Sequence, residues 1–165
     1  MLLLPATALG WFLASVLLDA ERAAAPEAPK VTAAKVAMLW QFTPAERKGF
    51  AITTNGADLT TGESKAVLRG DLTPTGHQLV SDPIPVAKGK PLRLLWKTRA
   101  LSGKTAVGLM DARAGVWINA ILISDKDIDV EFVPPSDLVQ IIVVNNNSGR
   151  EPPIAELGPA RLTAN

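Results

Sequence analysis

Residues 77–118 read HQLVSDPIPVAKGKPLRLLWKTRALSGKTAVGLMDARAGVWI, and this stretch decides the fold class. Apolar and polar side chains alternate along short runs, and Gly, Pro, Asp and Ser separate one run from the next. Alternation with a period of two, bounded by such turn residues, is typical of β-strands. The stretch therefore predicts a succession of short strands joined by turns.

The same pattern extends on both sides of this stretch, and no helical period of useful length appears after residue 49. Short strands at this spacing are typical of an antiparallel β-sandwich. We predict an all-β, jelly-roll-like sandwich over residues 35–165. The positions predicted to face its core are Leu94, Trp96, Val107, Ile118, Leu122, Val130, Phe132, Ile141 and Val143.

The segment that precedes these strands, KVAMLWQFTPAERKGF, allows two interpretations. Its apolar part, VAMLWQF, is either a first core strand or a segment that contacts the membrane surface or a partner protein. After it, Thr43, Pro44 and Glu46 predict a short helix with a capping box.

Two phrases in the β-region resemble a known family. The first is SDPIPVAKGKPLRLLW at residues 81–96, and the second is AELGPARLT at residues 155–163. Over roughly residues 77–163 the chain is similar to the galactose-binding-like, jelly-roll family of carbohydrate-binding modules. The resemblance implies a jelly-roll fold, and members of this family often bind sugars through exposed aromatic side chains and hold a structural calcium. The chain departs from that pattern because it contains no tyrosine.

The N-terminal run MLLLPATALGWFLASVLL carries no charged side chain, and Asp19, Glu21 and Arg22 end it abruptly. Eighteen helical residues span about 27 Å, close to the hydrocarbon thickness of a bilayer. A cleavable signal normally begins with a basic segment, which is missing here, and Pro26 follows the only Ala-rich cleavage site. We therefore predict a retained transmembrane helix over residues 1–19, rather than a removed signal or a buried core helix.

Residues 20–34, AERAAAPEAPKVTAA, predict an Ala/Pro-rich stalk between this anchor and the sandwich. The Lys and Arg residues that follow the anchor favour a cytoplasmic sandwich by the positive-inside rule. Domains of this type more often lie outside the cytoplasm, however. We predict a single-pass membrane protein with a periplasmic sandwich.

Composition excludes several functions. The absence of cysteine excludes disulfides, thiolate metal sites and cysteine nucleophiles. A formal net charge of +1 gives no electrostatic basis for binding nucleic acid. His77 is the only histidine and no G-x-S-x-G motif accompanies it, so we predict no catalytic residue and no cofactor. His77 itself is interpreted as a surface or edge residue.

Asp125, Asp127 and Asp129 stand at alternate positions, which share one face in a strand. The spacing resembles a calcium loop, but the Gly and Glu of an EF-hand are missing from their required positions. The favoured interpretation is a solvated acidic face that pairs with the basic strand PLRLLWKTR at residues 91–99. Calcium on the three aspartates is the alternative to this prediction of no metal site.

Aromatic side chains supply the candidate contacts. The predicted contacts with partner proteins are Trp11 and Phe12 in the anchor and Met38, Leu39, Trp40 and Phe42 after the stalk. The predicted sugar contacts are Trp117 and Asn119, a ring and an amide on one strand face, although Ile121 and Ile123 on that face favour burial.

Three classes of function remain open. The preferred one is a non-catalytic scaffolding subunit of a larger membrane complex (respiratory, photosynthetic, secretion or envelope assembly). Its anchor would pack among partner helices while the sandwich braces a surface outside the membrane. The alternative is a membrane-tethered carbohydrate-binding module with a polysaccharide partner. An enzyme ranks last because the sequence offers no nucleophile and base that could act together.

Overall fold

The structure, a computed structural model, describes residues 36–54, 56–148 and 151–164. The predicted anchor and stalk, with Trp11 and Phe12, lie outside these residues. Within them the strands are β1 Ala37–Phe42, β2 Phe50–Ile52, β3 Asp58–Thr61, β4 Ala66–Arg69, β5 His77–Ser81, β6 Ile84–Pro85, β7 Leu92–Ser102, β8 Thr105–Asp111, β9 Val116–Leu122, β10 Ile128–Phe132, β11 Leu138–Asn145 and β12 Ile154–Ala164. None of the described segments forms a helix of the length and apolar character needed to span a bilayer.

The strands form two antiparallel sheets. Sheet A has the order β10-β7-β12-β4-β3, and β1 also pairs with β12. Sheet B has the order β2-β5-β11-β8-β9, and β6 also pairs with β11. The predicted all-β antiparallel sandwich is therefore confirmed.

The core lies between the inward faces of the two sheets, because alternate side chains of each central strand point there. Leu94 and Trp96 on β7, and Ile141 and Val143 on β11, are at most 1% exposed. The predicted core positions that are buried are Leu94, Trp96, Val107, Phe132, Ile141 and Val143. Ile118 and Val130 are only partly buried, but they pack against the same core.

An aromatic cluster fills the part of the core next to β1. Phe50 stacks on Trp96 with a ring-centroid distance of 5.7 Å and an interplanar angle of 17°. The rings of Trp40 and Phe42 meet Phe50 edge-on at 5.3 and 5.4 Å. Edge-to-face and offset-stacked pairs of this kind stabilise beyond the area that they bury.

β1 is therefore a core strand, which is the first of the two interpretations of its apolar segment. The prediction that Phe42 contacts a partner is wrong, because Phe42 is fully buried. Leu39 and Trp40 are partly buried and pack against the core, so their bulk is also used inside the domain. Met38 is different, since it is 60% exposed.

Two other local predictions need correction. The turn after β1 is a short 3-10 helix, Pro44–Glu46, but Thr43 makes no side-chain capping bond, so the capping box is absent. Leu122 is 54% exposed rather than buried. Its orientation follows from a β-bulge in β9, which reverses the inward and outward positions of the residues beyond it.

Candidate functional site

The outer face of sheet B carries no Asp, Glu, Lys or Arg among its described residues. Along each of its strands, outward-facing residues alternate with residues that point into the core. The pairing of β5, β11, β8 and β9 identifies the outward-facing ones. We call this surface the neutral face, and it consists of Ala51, His77, Val80, Pro85, Ala106, Gly108, Met110, Trp117, Ala120, Leu122, Leu138, Gln140, Ile142 and Val144. It is a mostly apolar surface with one imidazole and one amide.

Trp117 is the exposed aromatic side chain of this face, with 47% of its surface accessible. Its six-membered ring occupies the space above Gly108, where a β-carbon would lie only 2.1 Å from Cζ3. His77 meets the indole edge-on, with ring centroids 5.7 Å apart. Ile142 lies on the adjacent strand, paired with Gly108, and is fully buried. The ring is thus supported by the sheet while part of it remains open to solvent.

A β-bulge in β9 decides which neighbours Trp117 has. Trp117 pairs with Met110 and Asn119 pairs with Leu109, so Ile118 is the extra residue between them. Leu109 belongs to the core, which places Asn119 on the inner side of the strand. Asn119 Oδ1 accepts a hydrogen bond from its neighbour's backbone N–H at 2.8 Å. The predicted pairing of the Trp117 ring with the Asn119 amide is therefore wrong.

A second bulge, in β5, brings His77 onto the neutral face. Leu79 pairs with Val143 and His77 with Val144, so Gln78 is the extra residue. Gln78 is fully buried, and its amide nitrogen donates to Asp71 Oδ1 at 2.9 Å and to a backbone carbonyl of the β4–β5 turn at 3.0 Å. The bulge is thus held by the turn, and His77 is a half-buried partner of Trp117 rather than a free surface residue.

Gln140 supplies the amide that Asn119 does not. It lies in the same cross-strand row as Met110 and Trp117. Its Nε2 donates to the carbonyl of Ser81 at 3.1 Å, which orients the side chain and leaves Oε1 without a bond to any described residue. Sequence reasoning missed Gln140 because it stands in the run LVQIIVVNN, where both faces are nearly apolar.

The outer face of sheet A has the opposite character, because charged side chains alternate along β7 and β10. Arg93 binds Asp129 through two bonds of 2.7 Å. The hydrogen bonds and the charge of this pair lower the pKa of Asp129 and raise the pKa of Arg93. The predicted pairing of the acidic strand with the basic strand is confirmed for these two residues.

The alternative of calcium on the three aspartates finds no support in the described residues. No group of three or more His, Asp or Glu side chains there lies close enough to hold a metal ion. Asp129 is engaged by Arg93, and Asp125 and Asp127 precede β10 rather than belonging to it. Alternation along a strand therefore does not bring the three carboxylates together.

No protein-family model and no curated protein sequence matches the chain. Solved structures do match. The apo structure described as BiXyn10A CBM1 is 12% identical, with a TM-score of 0.58, over 76% of this chain and 97% of that one. The second N-terminal cellulose-binding domain of β-1,4-glucanase C from Cellulomonas fimi is 12% identical, with a TM-score of 0.51, over 79% of this chain and 95% of that one. The C-terminal CBM6 of LamC, a laminarinase from Zobellia galactanivorans, is 6% identical, with a TM-score of 0.50, over 75% and 98%.

These likenesses confirm the jelly-roll fold of carbohydrate-binding modules that the resemblance implied. At such identities they show the fold alone. They overturn the preferred functional prediction of a scaffolding subunit in a membrane complex, because the neighbours are carbohydrate-binding modules. The apolar residues that motivated that prediction are largely used in the core, as β1 shows.

Proposed function

We propose that this chain is a carbohydrate-binding domain whose ligand packs on the neutral face, over Trp117. The observation that carries the proposal is the half-exposed indole, which the sheet supports and the His77 imidazole meets edge-on, with the Gln140 amide two strands away in the same cross-strand row. The CH groups of a pyranose ring pack on an aromatic face, while its hydroxyls need hydrogen-bonding groups at the rim. Gln140 Oε1 and the exposed atoms of His77 are placed to serve them.

The proposal is for binding without catalysis. His77 is the one imidazole of the sequence, and no Ser, Asp or Glu accompanies it among the described residues of the neutral face. A nucleophile with its base, or a pair of carboxylates, therefore cannot be assembled there. A module of this kind serves to hold a polysaccharide.

The proposal also assigns a role to the N-terminal residues. The uncharged run at residues 1–18 would tether the domain to a membrane, and residues 20–34 would act as a spacer on the periplasmic side. Detergent phase partitioning of the full chain tests this role. We expect the full chain in the detergent phase and a chain that lacks residues 1–18 in the aqueous phase.

Affinity electrophoresis in gels that contain cellulose derivatives, xylan or mixed-linkage glucan tests the binding function. We expect retardation in at least one of these gels and an affinity at least about tenfold lower for Trp117→Ala, because stacking on the ring is lost. Leu101→Ala is the matched control, since Leu101 is also 47% exposed but lies outside the neutral face. Equal affinity of Trp117→Ala and the unmodified chain would exclude the neutral face as the binding site.

A further inference from the structure

A groove of about 660 Å³ opens on the outer face of sheet A, on the side of the sandwich opposite the neutral face. We call it the sheet A groove. The residues on which its chemistry depends are Met38, Gln41, Lys97, Asp127, Pro159 and Arg161. They come from β1, β7, β12 and the segment before β10, so the groove crosses the middle of the sheet.

The groove exists because β12 is interrupted at Gly158 and Pro159. On one edge the pairing of β12 with β7 is shifted between Leu157 and Ala160. On the other edge β12 pairs with β4 up to Leu157 and with β1 from Ala160 onward. Proline is tolerated in a central strand only at such a bulge, and bulges occur often beside functional sites.

The break in β12 at Gly158 and Pro159 is stabilised from the core side of the sheet. Trp96 Nε1 donates to the carbonyl of Gly158 at 3.0 Å, inside the core. Above it, a β-carbon on Gly158 would lie 2.9 Å from Cβ of Lys97, so glycine allows the Lys97 stem to rest on the bulge. The floor of the groove thus belongs to the paired strands of the sheet.

Three of the four charged side chains that line the groove have no ion-pair partner among the described residues. Asp129 is bound by Arg93, but Lys97, Arg161 and Asp127 form no ion pair with another described residue. All three side chains are exposed. Between them the groove offers apolar surface, of which the largest exposed part belongs to Met38.

We propose that the sheet A groove binds a uronic-acid residue of an acidic polysaccharide. Its carboxylate would lie between Lys97 and Arg161, which supply charge-assisted hydrogen bonds. Its hydroxyls would donate to Asp127 and Gln41, and the CH face of its ring would lie on Met38 and Pro159. The ligand class follows from the mixture of charges, because two free cations select an anion and one free carboxylate selects hydroxyl donors.

Other ligand classes fit this mixture less well. An acidic peptide or a DNA strand offers anions to Lys97 and Arg161 but no row of hydroxyl groups to donate to Asp127, which would be left beside negative charge without a partner. An apolar ligand would remove Lys97 and Arg161 from water without giving them partners. A sugar acid carries one anion, several donors and an apolar ring face, and therefore satisfies each group in the groove.

Titration calorimetry of the full chain with trigalacturonate tests the proposal, and the same trisaccharide with its carboxylates reduced to hydroxymethyl groups serves as the neutral probe. We expect trigalacturonate to bind and the reduced probe to bind at least about tenfold more weakly, because the charge-assisted bonds are lost. Arg161→Gln and Lys97→Gln should each weaken trigalacturonate binding about tenfold. Lys104→Gln, which removes one exposed positive charge from the β7–β8 turn, should leave it unchanged.

Three results would overturn the proposal: no binding of trigalacturonate, equal binding of the two probes, or equal weakening by Lys104→Gln. Trp117→Ala should leave trigalacturonate binding unchanged, which separates this groove from the neutral face. If a variant in the groove loses its fold, amide chemical-shift changes in the unmodified chain decide the question. Shifts centred on β7 and β12 support the groove, and shifts centred on β9 exclude it.

Discussion

Gly108→Ala is expected to weaken carbohydrate binding without touching the ligand. The new β-carbon would lie 2.1 Å from Cζ3 of Trp117 and 2.9 Å from Cε3 and Cη2. Carbon atoms in ordinary contact are about 3.5–4.0 Å apart, so the ring must move by at least about 1.4 Å. Trp117 is 47% exposed and can move outward, away from His77 and the sheet. The indole would then no longer lie where the neutral face presents it.

The fold should tolerate this change. Alanine in a strand is more favourable than glycine by roughly 0.5–1 kcal/mol, which offsets part of the lost packing between the ring and the sheet. We expect the free energy of unfolding to change by less than about 1 kcal/mol and the affinity for polysaccharide to fall about tenfold. Thermal melting and affinity electrophoresis measure the two quantities on the same preparation.

The matched control is a double-mutant cycle with Trp117→Ala. If Gly108 acts only by seating the ring, Gly108→Ala has no further effect on affinity once the ring is gone. Unchanged affinity of the single variant would show that the ring position is irrelevant to binding. A further loss in the Trp117→Ala background would show that residue 108 affects the ligand directly.

Two other predictions concern stability. Trp96→Phe keeps a ring in the aromatic cluster but leaves the buried Gly158 carbonyl without its hydrogen-bond donor. Urea titration should therefore show a free energy of unfolding that is lower by about 1–3 kcal/mol. A decrease as large as the ~3–5 kcal/mol of a Trp-to-Ala truncation would contradict this account. The hydrogen bond from Ser136, followed by backbone N–H groups, lowers the pKa of Asp111. The ionised Asp111 therefore stabilises the fold above its ordinary pKa of about 3.9, and this stabilisation disappears as the pH falls through the lowered value. Ser136→Ala should raise the pKa of Asp111 and reduce stability at neutral pH more than at a pH of about 3. Melting curves recorded over this pH range measure the difference. An equal loss of stability at both pH values would contradict this role of Ser136.

The correction of function has a physical cause. An apolar run such as MLWQF after a stalk has the same composition whether it covers a partner or begins a core. The sequence predicts Trp40 and Phe42 as partner contacts, whereas the pairing of β1 with β12 turns them toward Phe50 and Trp96. Whether such a segment is buried depends on the strand with which it pairs. For β1 that partner is β12, which lies more than a hundred residues away in the chain.

The sequence by itself determined the all-β class, the positions of most strands and much of the core. Alternation with a period of two is a local property, and turn residues mark its limits, so Leu94, Trp96 and Ile141 could be assigned to the core without knowledge of any partner strand. The pairing of the acidic strand with the basic strand followed from the same alternation, and the salt bridge between Arg93 and Asp129 is an instance of it.

Only the tertiary structure decided which side chains meet on a surface. A bulge adds one residue to a strand and reverses every position beyond it, and its location depends on how the partner strand is paired. The bulge at Ile118 therefore separated Trp117 from Asn119 and exposed Leu122, and the bulge at Gln78 brought His77 to the indole. The periodicity of the sequence cannot locate such a bulge, because a strand that is apolar on both faces fits the pattern in either register. Pairing with the neighbouring strand then determines the register.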